Sequence, residues 1–560
     1  MKAHMPLGEF LVAYLRRIGV THLFGLPGDL VLGLFQSLAR ERALEIVTFS
    51  HEPAVGFAAD GYARATRRLG VICVTYGAGG HNIVNPVAAA YAERVPLLVI
   101  SGGPGAEEAS RSSIHHQVKS LDSQWRVFQE VTCDARRLLH PERAAAEIHE
   151  LVCGIMRELR PGYLEIRRDQ VDLEIPVPEE IRSWSGELPR PVSDPRRLAE
   201  ALRDTVDRLR RAQRPMLIAG VDLHRVGAHG DFLRLAEKLE CAVATTMLAK
   251  GVFPMDHPLH LGIQIGPFGA APIQQRVAAA DLVLELGTQH TDINLGRAPE
   301  IAPAEKTLWA EPERVSISFH QYQGVMLHEF VRGLADAPLP CFREKVEYFD
   351  NLARAPFEAN ADAPLSTNDL LVELNEFLAR HPGMYVVAES GDLLFGGLEL
   401  RLRGGMYMAQ GYYASMGFGV PAALGAQLGT GVRPLILCGD GAFQMTGMEI
   451  SQAPRHGLNP ICVLVNNAGW GIFRPIVERQ DLLDVPSWPY AELGRALGGG
   501  GQRARTRGEL RAALDAAFAS ERFSIVEAVT PPDDLSPISR RYITSGARSG
   551  VTRRRAAPRA

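Results

Sequence analysis

Residues 434–467 read PLILCGDGAFQMTGMEISQAPRHGLNPICVLVNN. The runs Pro434–Cys438 and Pro460–Val465 have the length and composition of strands buried on both faces. The first ends on Gly439-Asp440-Gly441 and the second on Asn466-Asn467. Between them, Phe443–Leu458 reads as one helix, so the piece is a crossover whose strands should be parallel and nearly adjacent. Parallel neighbours lie about 4.8 Å apart, which puts the Asp440 carboxylate and the Asn467 amide oxygen at one carboxyl edge, close enough to share an ion. Two hard oxygen ligands with open positions suit Mg²⁺ better than zinc. Gly441 lets the backbone come close, and a helix starting near Phe443 turns free N–H groups towards an anion such as a diphosphate.

The same βα rhythm extends outward in both directions. Glu45–Phe49, Val71–Tyr76, Leu97–Ser101 and Tyr163–Ile166 read as strands of a first series. Pro215–Ala219, Cys241–Thr246, Leu282–Leu286 and Val315–Phe319 form a second, and Tyr385–Ala388 and Ser524–Ala528 join the pair above in a third. At 560 residues the chain exceeds one core. The expected fold class is α/β in three domains, each a mainly parallel sheet flanked by helices. Their expected extents are 1–175, 190–340 and 360–540, with 541–560 as a flexible basic tail. Asp172–Val192, carrying four prolines, is expected to be an exposed linker, and the polar stretch Asp336–Ser366 a second separator.

Composition narrows the partners. Lys and Arg total 60 against 64 Asp and Glu, a net charge of −4, which offers no counterion-release drive for nucleic acid or an anionic membrane. A small-molecule substrate is expected. No apolar run approaches the roughly 20 residues of a transmembrane helix. The first 20 residues form an amphipathic helical pattern rather than a signal peptide. The seven cysteines are dispersed without a C-x-x-C pair, which suits a cytoplasmic, reducing location.

Three further sites stand out. Glu52, in Ser50-His51-Glu52-Pro53-Ala54, follows a strand at a carboxyl edge, where an acid either serves a ligand or complements a helix start. Asp29 ends Gly25-Leu-Pro-Gly-Asp29 and could equally be a turn residue. His115-His116 is an adjacent pair able to carry a proton near neutrality. Gly417-Phe-Gly-Val-Pro-Ala422 satisfies a dinucleotide fingerprint but lacks a preceding apolar strand and contains Pro421, so a nicotinamide site is rejected.

GDG, 24 residues, then NN resembles the thiamine-diphosphate (ThDP) binding motif of the ThDP-dependent 2-oxo acid decarboxylases. The runs His51–Asp60, Val74–Gly79 and Gly439–Glu449 look closest to the phenylpyruvate/indolepyruvate decarboxylase branch, and the resemblance spans residues 5–535. It implies a pyrimidine-binding, a central and a diphosphate-binding domain, with no flavin expected in the central one. Asp440, Asn467 and the Gly469 carbonyl are implied as Mg²⁺ ligands. Gly441, Ala442 and Ile472 are implied as cofactor contacts, Met416 as the apolar prop of the bent cofactor, and the Ala414 carbonyl as a neighbour of its amino group. Glu52 is implied as the activating glutamate, with Asp29, His115 and His116 as catalytic groups that orient substrate and move protons. A homodimer is implied as the minimum unit, within a homotetramer, with the active site between chains. Pyruvate decarboxylases carry a glutamate six residues beyond the second Asn, where this chain has Phe473. That change makes the wall apolar and favours an aryl-substituted 2-oxo acid. The expected reaction is non-oxidative decarboxylation to the aldehyde, a carbon-carbon lyase activity. The alternatives are a carboligase forming an acyloin or acetolactate, and a non-catalytic ThDP-binding homologue.

Overall fold

The computed structural model describes residues 1–40, 44–111, 114–402 and 406–548. The chain divides into two compact units. The first holds Met1–Pro191 together with Val420–Gly431 and Thr446–Leu458, and the second holds the rest. Two segments within the expected third domain thus group with the first unit.

The first unit is built on a six-stranded sheet. Its order is Glu45–Thr48, His22–Gly25, Gly70–Val74, Leu97–Gly103, Gly162–Arg167, Asp134–Arg137, and every pairing is parallel. Its central strands are buried on both faces, as an all-parallel sheet covered by helices requires. The amphipathic start forms helix Leu7–Arg17, which buries Phe10, Leu11, Tyr14 and Leu15. The expected exposed linker needs correction only over its first half, since residues 184–192 carry no helix or strand, Val192 is exposed, and the two units part after Pro191. Glu174–Pro176 pairs antiparallel with His4–Pro6, Glu179–Ser183 is helical, and Ile175, Val177 and Ile181 are buried. The prolines are tolerated because one ends a two-stranded edge pairing and another precedes a helix.

Helix Glu52–Thr66 meets helix Gly419–Thr430 through small residues. A Cβ on Gly61 would overlap the Ala422 backbone, and one on Gly425 would overlap the Ala58 carbonyl. Backbone cannot yield as a side-chain tip can. Gly425→Val is therefore expected to destabilise the protein by about 1–3 kcal/mol, read as a lowered Tm, whereas Gly431→Ala, with open space around it but a positive φ of +70°, should cost less.

The second unit carries two sheets. One has seven strands in the order His260–Gln264, Val243–Thr246, Pro215–Ala219, Leu282–Leu286, Thr307–Glu311, Arg314–Ile317, His320–Gln323. The first five are parallel and the last two antiparallel. Val315–Phe319, expected in a parallel series, is thus the middle of a meander. Only Pro312 and Glu313 separate it from the preceding strand, far too few for a crossover. Asp336–Ser366, which begins at the end of helix Leu327–Asp336, is irregular apart from the short helix Phe357–Asn360 yet packed, with Leu352 buried and Tyr348 against the core.

The other sheet is wholly parallel, in the order Met406–Ala409, Tyr385–Ala388, Pro434–Gly439, Ile461–Asn466, Ser524–Val529, Gly500–Ala504. The crossover from Pro434–Gly439 to Ile461–Asn466 is not one helix, as expected, but helix Asp440–Thr446 followed by 3₁₀ turns Gly447–Gln452 and Pro454–His456. Gly447 and Pro454 interrupt it, the latter because proline cannot donate its N–H and crowds the preceding turn. Helix Pro537–Arg548 corrects the expected flexible tail over 541–548, and Tyr542 packs against Phe395 and Phe268. The remainder of that tail lies outside the described residues. Among the described residues no helix is long and apolar enough to cross a membrane.

Candidate active site

The carboxyl ends of the second unit's wholly parallel sheet open into a cavity of about 380 Å³. Ala414, Met416, Asp440, Gly441, Ala442, Asn467, Gly469 and Ile472, the expected cofactor residues of this part of the chain, all line it, as does Phe473. Strand register explains the meeting: Gly439 pairs with Val465, so the residues that follow each strand emerge side by side. Of the two asparagines only the second faces the cavity. Asn466 Nδ2 donates to Glu527 Oε1 at 2.8 Å and to Ser487 Oγ at 3.1 Å.

Asp440 is 2% exposed. Its Oδ1 accepts from Gly441 N–H at 2.7 Å and its Oδ2 from Gly469 N–H at 3.2 Å. No Lys or Arg among the described residues pairs with it. Burial pushes its pKa up to about 6, against the lowering effect of the Gly441, Gly469, Ala468 and Asn467 N–H groups. A buried carboxylate held only by neutral amides, beside an amide oxygen and a cavity, fits a hard divalent cation. The Gly469 carbonyl accepts from Gly471 N–H at 2.9 Å and keeps a second lone pair. A Cβ on Gly441 would collide with the Trp470 ring, so only glycine fits beneath it. Met416 is half-buried on the cavity wall rather than filling the core.

Sequence reasoning missed Ser390, Gly391 and Asp392, which line the cavity where Tyr385–Ala388 ends. The signal was a small polar ending after a buried strand, like that at Gly439–Gly441. It also missed Arg297, the basic side chain of the lining, which donates to Tyr542 Oη at 2.8 Å. At the rejected dinucleotide fingerprint, Gly419 N–H donates to the buried Glu389 Oε2, so an acid occupies the place a phosphate would take.

The remaining expected residues belong to the first unit. Glu52 is the first residue of helix Glu52–Thr66, and its Oε2 accepts from Asn82 Nδ2 at 2.8 Å. Asp29, His115 and His116 converge. His115 Nε2 lies 2.7 Å from Asp29 Oδ2 and His116 Nε2 3.8 Å from Oδ1. Burial works to raise the Asp29 pKa, but the hydrogen bond from His115 and the charges of both histidines outweigh it and hold the carboxyl below its ordinary value. His116 has a left-handed φ of +70°, and its Cβ occupies the space a side chain on Gly77 would need. Beneath it runs a buried network invisible in the sequence. Gly77 N–H donates to Gln124 Oε1, Gln124 Nε2 donates to Ser101 Oγ and Tyr163 Oη, and Tyr163 donates to Glu165. Burial pushes Glu165 up to about 7. The network holds Gly77, which leads into helix Ala78–Asn82, the helix whose last residue reaches Glu52.

Comparison with known proteins agrees along the chain. Residues 5–124 match the family described as Thiamine pyrophosphate enzyme, N-terminal TPP binding domain, residues 202–328 its central domain, and residues 398–528 its C-terminal TPP binding domain. The chain is 38% identical to the indole-3-pyruvate decarboxylase of Azospirillum brasilense, over 99% of this chain and 100% of that protein. It is 30% identical to pyruvate decarboxylase 2 of Oryza sativa subsp. indica, over 95% of this chain and 89% of the relative. It is also 30% identical to the alpha-keto-acid decarboxylase of Mycobacterium ulcerans (strain Agy99), over 95% and 94%.

Proposed function

The chain belongs to the ThDP-dependent 2-oxo acid decarboxylases, and from that premise we propose that it decarboxylates an aryl-substituted 2-oxo acid, such as phenylpyruvate or indolepyruvate, to the aldehyde and CO₂. The observation that carries the choice of substrate is the wall of the cavity. Trp470, Ile472, Phe473 and Ile476 present carbon there, and Phe473 and Ile476 are 49% and 44% exposed. An aromatic side chain is the complement such a surface prefers, and the 38% identity to an indole-3-pyruvate decarboxylase supports it.

Bound ThDP supplies the electron sink that accepts the bonding pair released as CO₂ departs. Asp440, Asn467 and the Gly469 carbonyl would hold Mg²⁺ at its diphosphate end, and Gly441 and Ala442 would offer backbone there. Met416 and Ile472 would support its rings, and the Ala414 carbonyl would accept from its amino group. Glu52, with Oε2 already engaged by Asn82, would exchange a proton at Oε1 with the pyrimidine. His115 Nε2, His116 Nε2 and the Asp29 carboxylate would orient the substrate and deliver the proton that the product carbon needs. The active unit is proposed as a homodimer within a homotetramer. A cytoplasmic location is consistent with seven unpaired cysteines.

A panel of 2-oxo acids assayed with ThDP and Mg²⁺ tests this reading. We expect kcat/KM for phenylpyruvate or indolepyruvate to exceed that for pyruvate at least tenfold, the equivalent of about 1.4 kcal/mol of apolar contact. A preference for pyruvate would overturn the substrate assignment. Acyloin or acetolactate as the main product, once an acceptor is added, would make the enzyme a carboligase.

A further inference from the structure

We propose that Asp29, His115 and His116 form a binding site for a borderline transition-metal ion, Zn²⁺ in the first instance, distinct from the Asp440 and Asn467 position. Each residue offers one ligand atom, and the three atoms lie within 4.8 Å of one another. Tetrahedral zinc ligands at about 2.0 Å from the metal stand about 3.3 Å apart. His115 Nε2 and Asp29 Oδ2 are 2.7 Å apart, and His116 Nε2 and Asp29 Oδ1 3.8 Å apart. Those separations, to the two Asp29 oxygens, bracket that value, and side-chain rotations within the 4.8 Å cluster would bring one carboxylate oxygen and both imidazole nitrogens to three corners of a tetrahedron. The geometry is prepared rather than accidental. His116 is held in its left-handed conformation against Gly77, and Gly77 is fixed through Gln124 to the buried Tyr163 and Glu165. In the single chain the three side chains are 43%, 61% and 32% exposed, and in the active unit the path that admits substrate to them would admit an ion and a water as fourth ligand.

Two imidazoles and one carboxylate select zinc, copper or nickel over Mg²⁺, which prefers oxygen. The same protein would thus hold two kinds of cation at once, with magnesium and the diphosphate in one unit and the imidazole-bound metal in the other. A bound metal occupies the lone pairs that carry protons in the proposed mechanism, so it should also inhibit; that consequence, unlike the binding itself, rests on the catalytic reading above.

The test uses untagged holoenzyme saturated with ThDP and Mg²⁺, equilibrated with micromolar Zn²⁺ and freed of excess ion. We expect one zinc per chain. Affinity should fall at least about tenfold in Asp29→Asn and in His115→Ala and stay unchanged in His140→Ala, whose exposed imidazole lies 3.5 Å from Glu142. Co²⁺ in place of zinc should add a visible absorption band with wild type that both ligand variants lack. No stoichiometric uptake, or uptake that survives both ligand substitutions, overturns the site. Stoichiometric, ligand-dependent uptake without loss of turnover upholds the metal site and instead overturns the proton-carrying role of the triad.

Discussion

Glu52→Gln is expected to lower kcat by about 10³-fold, the contribution typical of a positioned acid–base group, while ThDP still binds and still raises Tm. The substitution keeps the shape of the side chain and its oxygen acceptor for Asn82 Nδ2, and removes only the capacity to take up and release a proton. A structural glutamate at a helix start would behave otherwise: its loss would weaken the N-terminus of Glu52–Thr66 by at most about 1 kcal/mol and leave turnover nearly intact. Stopped-flow or steady-state turnover beside a cofactor-dependent Tm shift separates the two. The same variant probes the expected dimer. If the glutamate and the Asp440 carboxylate that serve one cofactor come from different chains, mixing inactive Glu52→Gln with inactive Asp440→Asn and allowing subunit exchange restores about a quarter of the sites, because each mixed C₂ dimer regains one intact site. No recovery after demonstrated exchange would sink the shared arrangement.

What could be seen before the structure followed from two physical signals. Strands buried on both faces leave apolar runs, and the residues just beyond them must be small or polar to turn at a sheet edge. Pro434–Gly439 and Ile461–Asn466 show both signals, with a separation that only a crossover can span, so the cavity end carrying Asp440 and Asn467 was readable. Gly500–Ala504 was not. With two glycines, a glutamine and an arginine it has no strand propensity of its own, and it exists by pairing along Ser524–Val529. His22–Gly25 and Asp134–Arg137 are further short polar-bearing strands held by their neighbours. The break at Gly447 was visible in composition, but the apolar residues around it masked it. The clamp from Gly77 through Gln124 to Glu165 joins residues 47 and 39 positions apart, and no local pattern marks such a contact. Tyr542 was lost in an arginine-rich stretch whose charge suggested solvent, although one aromatic face suffices to dock a helix.

Asp440→Asn should abolish the stabilisation that ThDP and a divalent cation confer, and at the same time make the cofactor-free protein more stable near pH 7.5. Both effects come from the same burial. The folded carboxyl titrates at about 6 instead of its ordinary 3.8, so its folded pKa lies above its unfolded one. The stability it contributes is fully present below about pH 4 and is lost as pH rises through about 6, which leaves the empty protein with a penalty on the order of 3 kcal/mol at neutrality. Asparagine removes that charge but sets an amide N–H₂ against one of the two backbone donors, returning about 1–2 kcal/mol of the gain. The net expectation is a higher Tm for the variant without cofactor at pH 7.5, and no advantage at pH 4. Wild type, by contrast, should gain about 2.7 kcal/mol from cofactor at 100 times its dissociation constant, and the variant nothing. In wild type that gain should shrink as pH falls below about 6, since a proton then competes with the cation for the carboxylate, about tenfold in affinity per unit. Differential scanning fluorimetry of both proteins from pH 4 to 8, with and without ThDP and Mg²⁺, reads all four quantities. A variant that keeps the cofactor shift, or a wild-type shift indifferent to pH across this range, would remove Asp440 from the cation and with it the reason for burying an acid among amides.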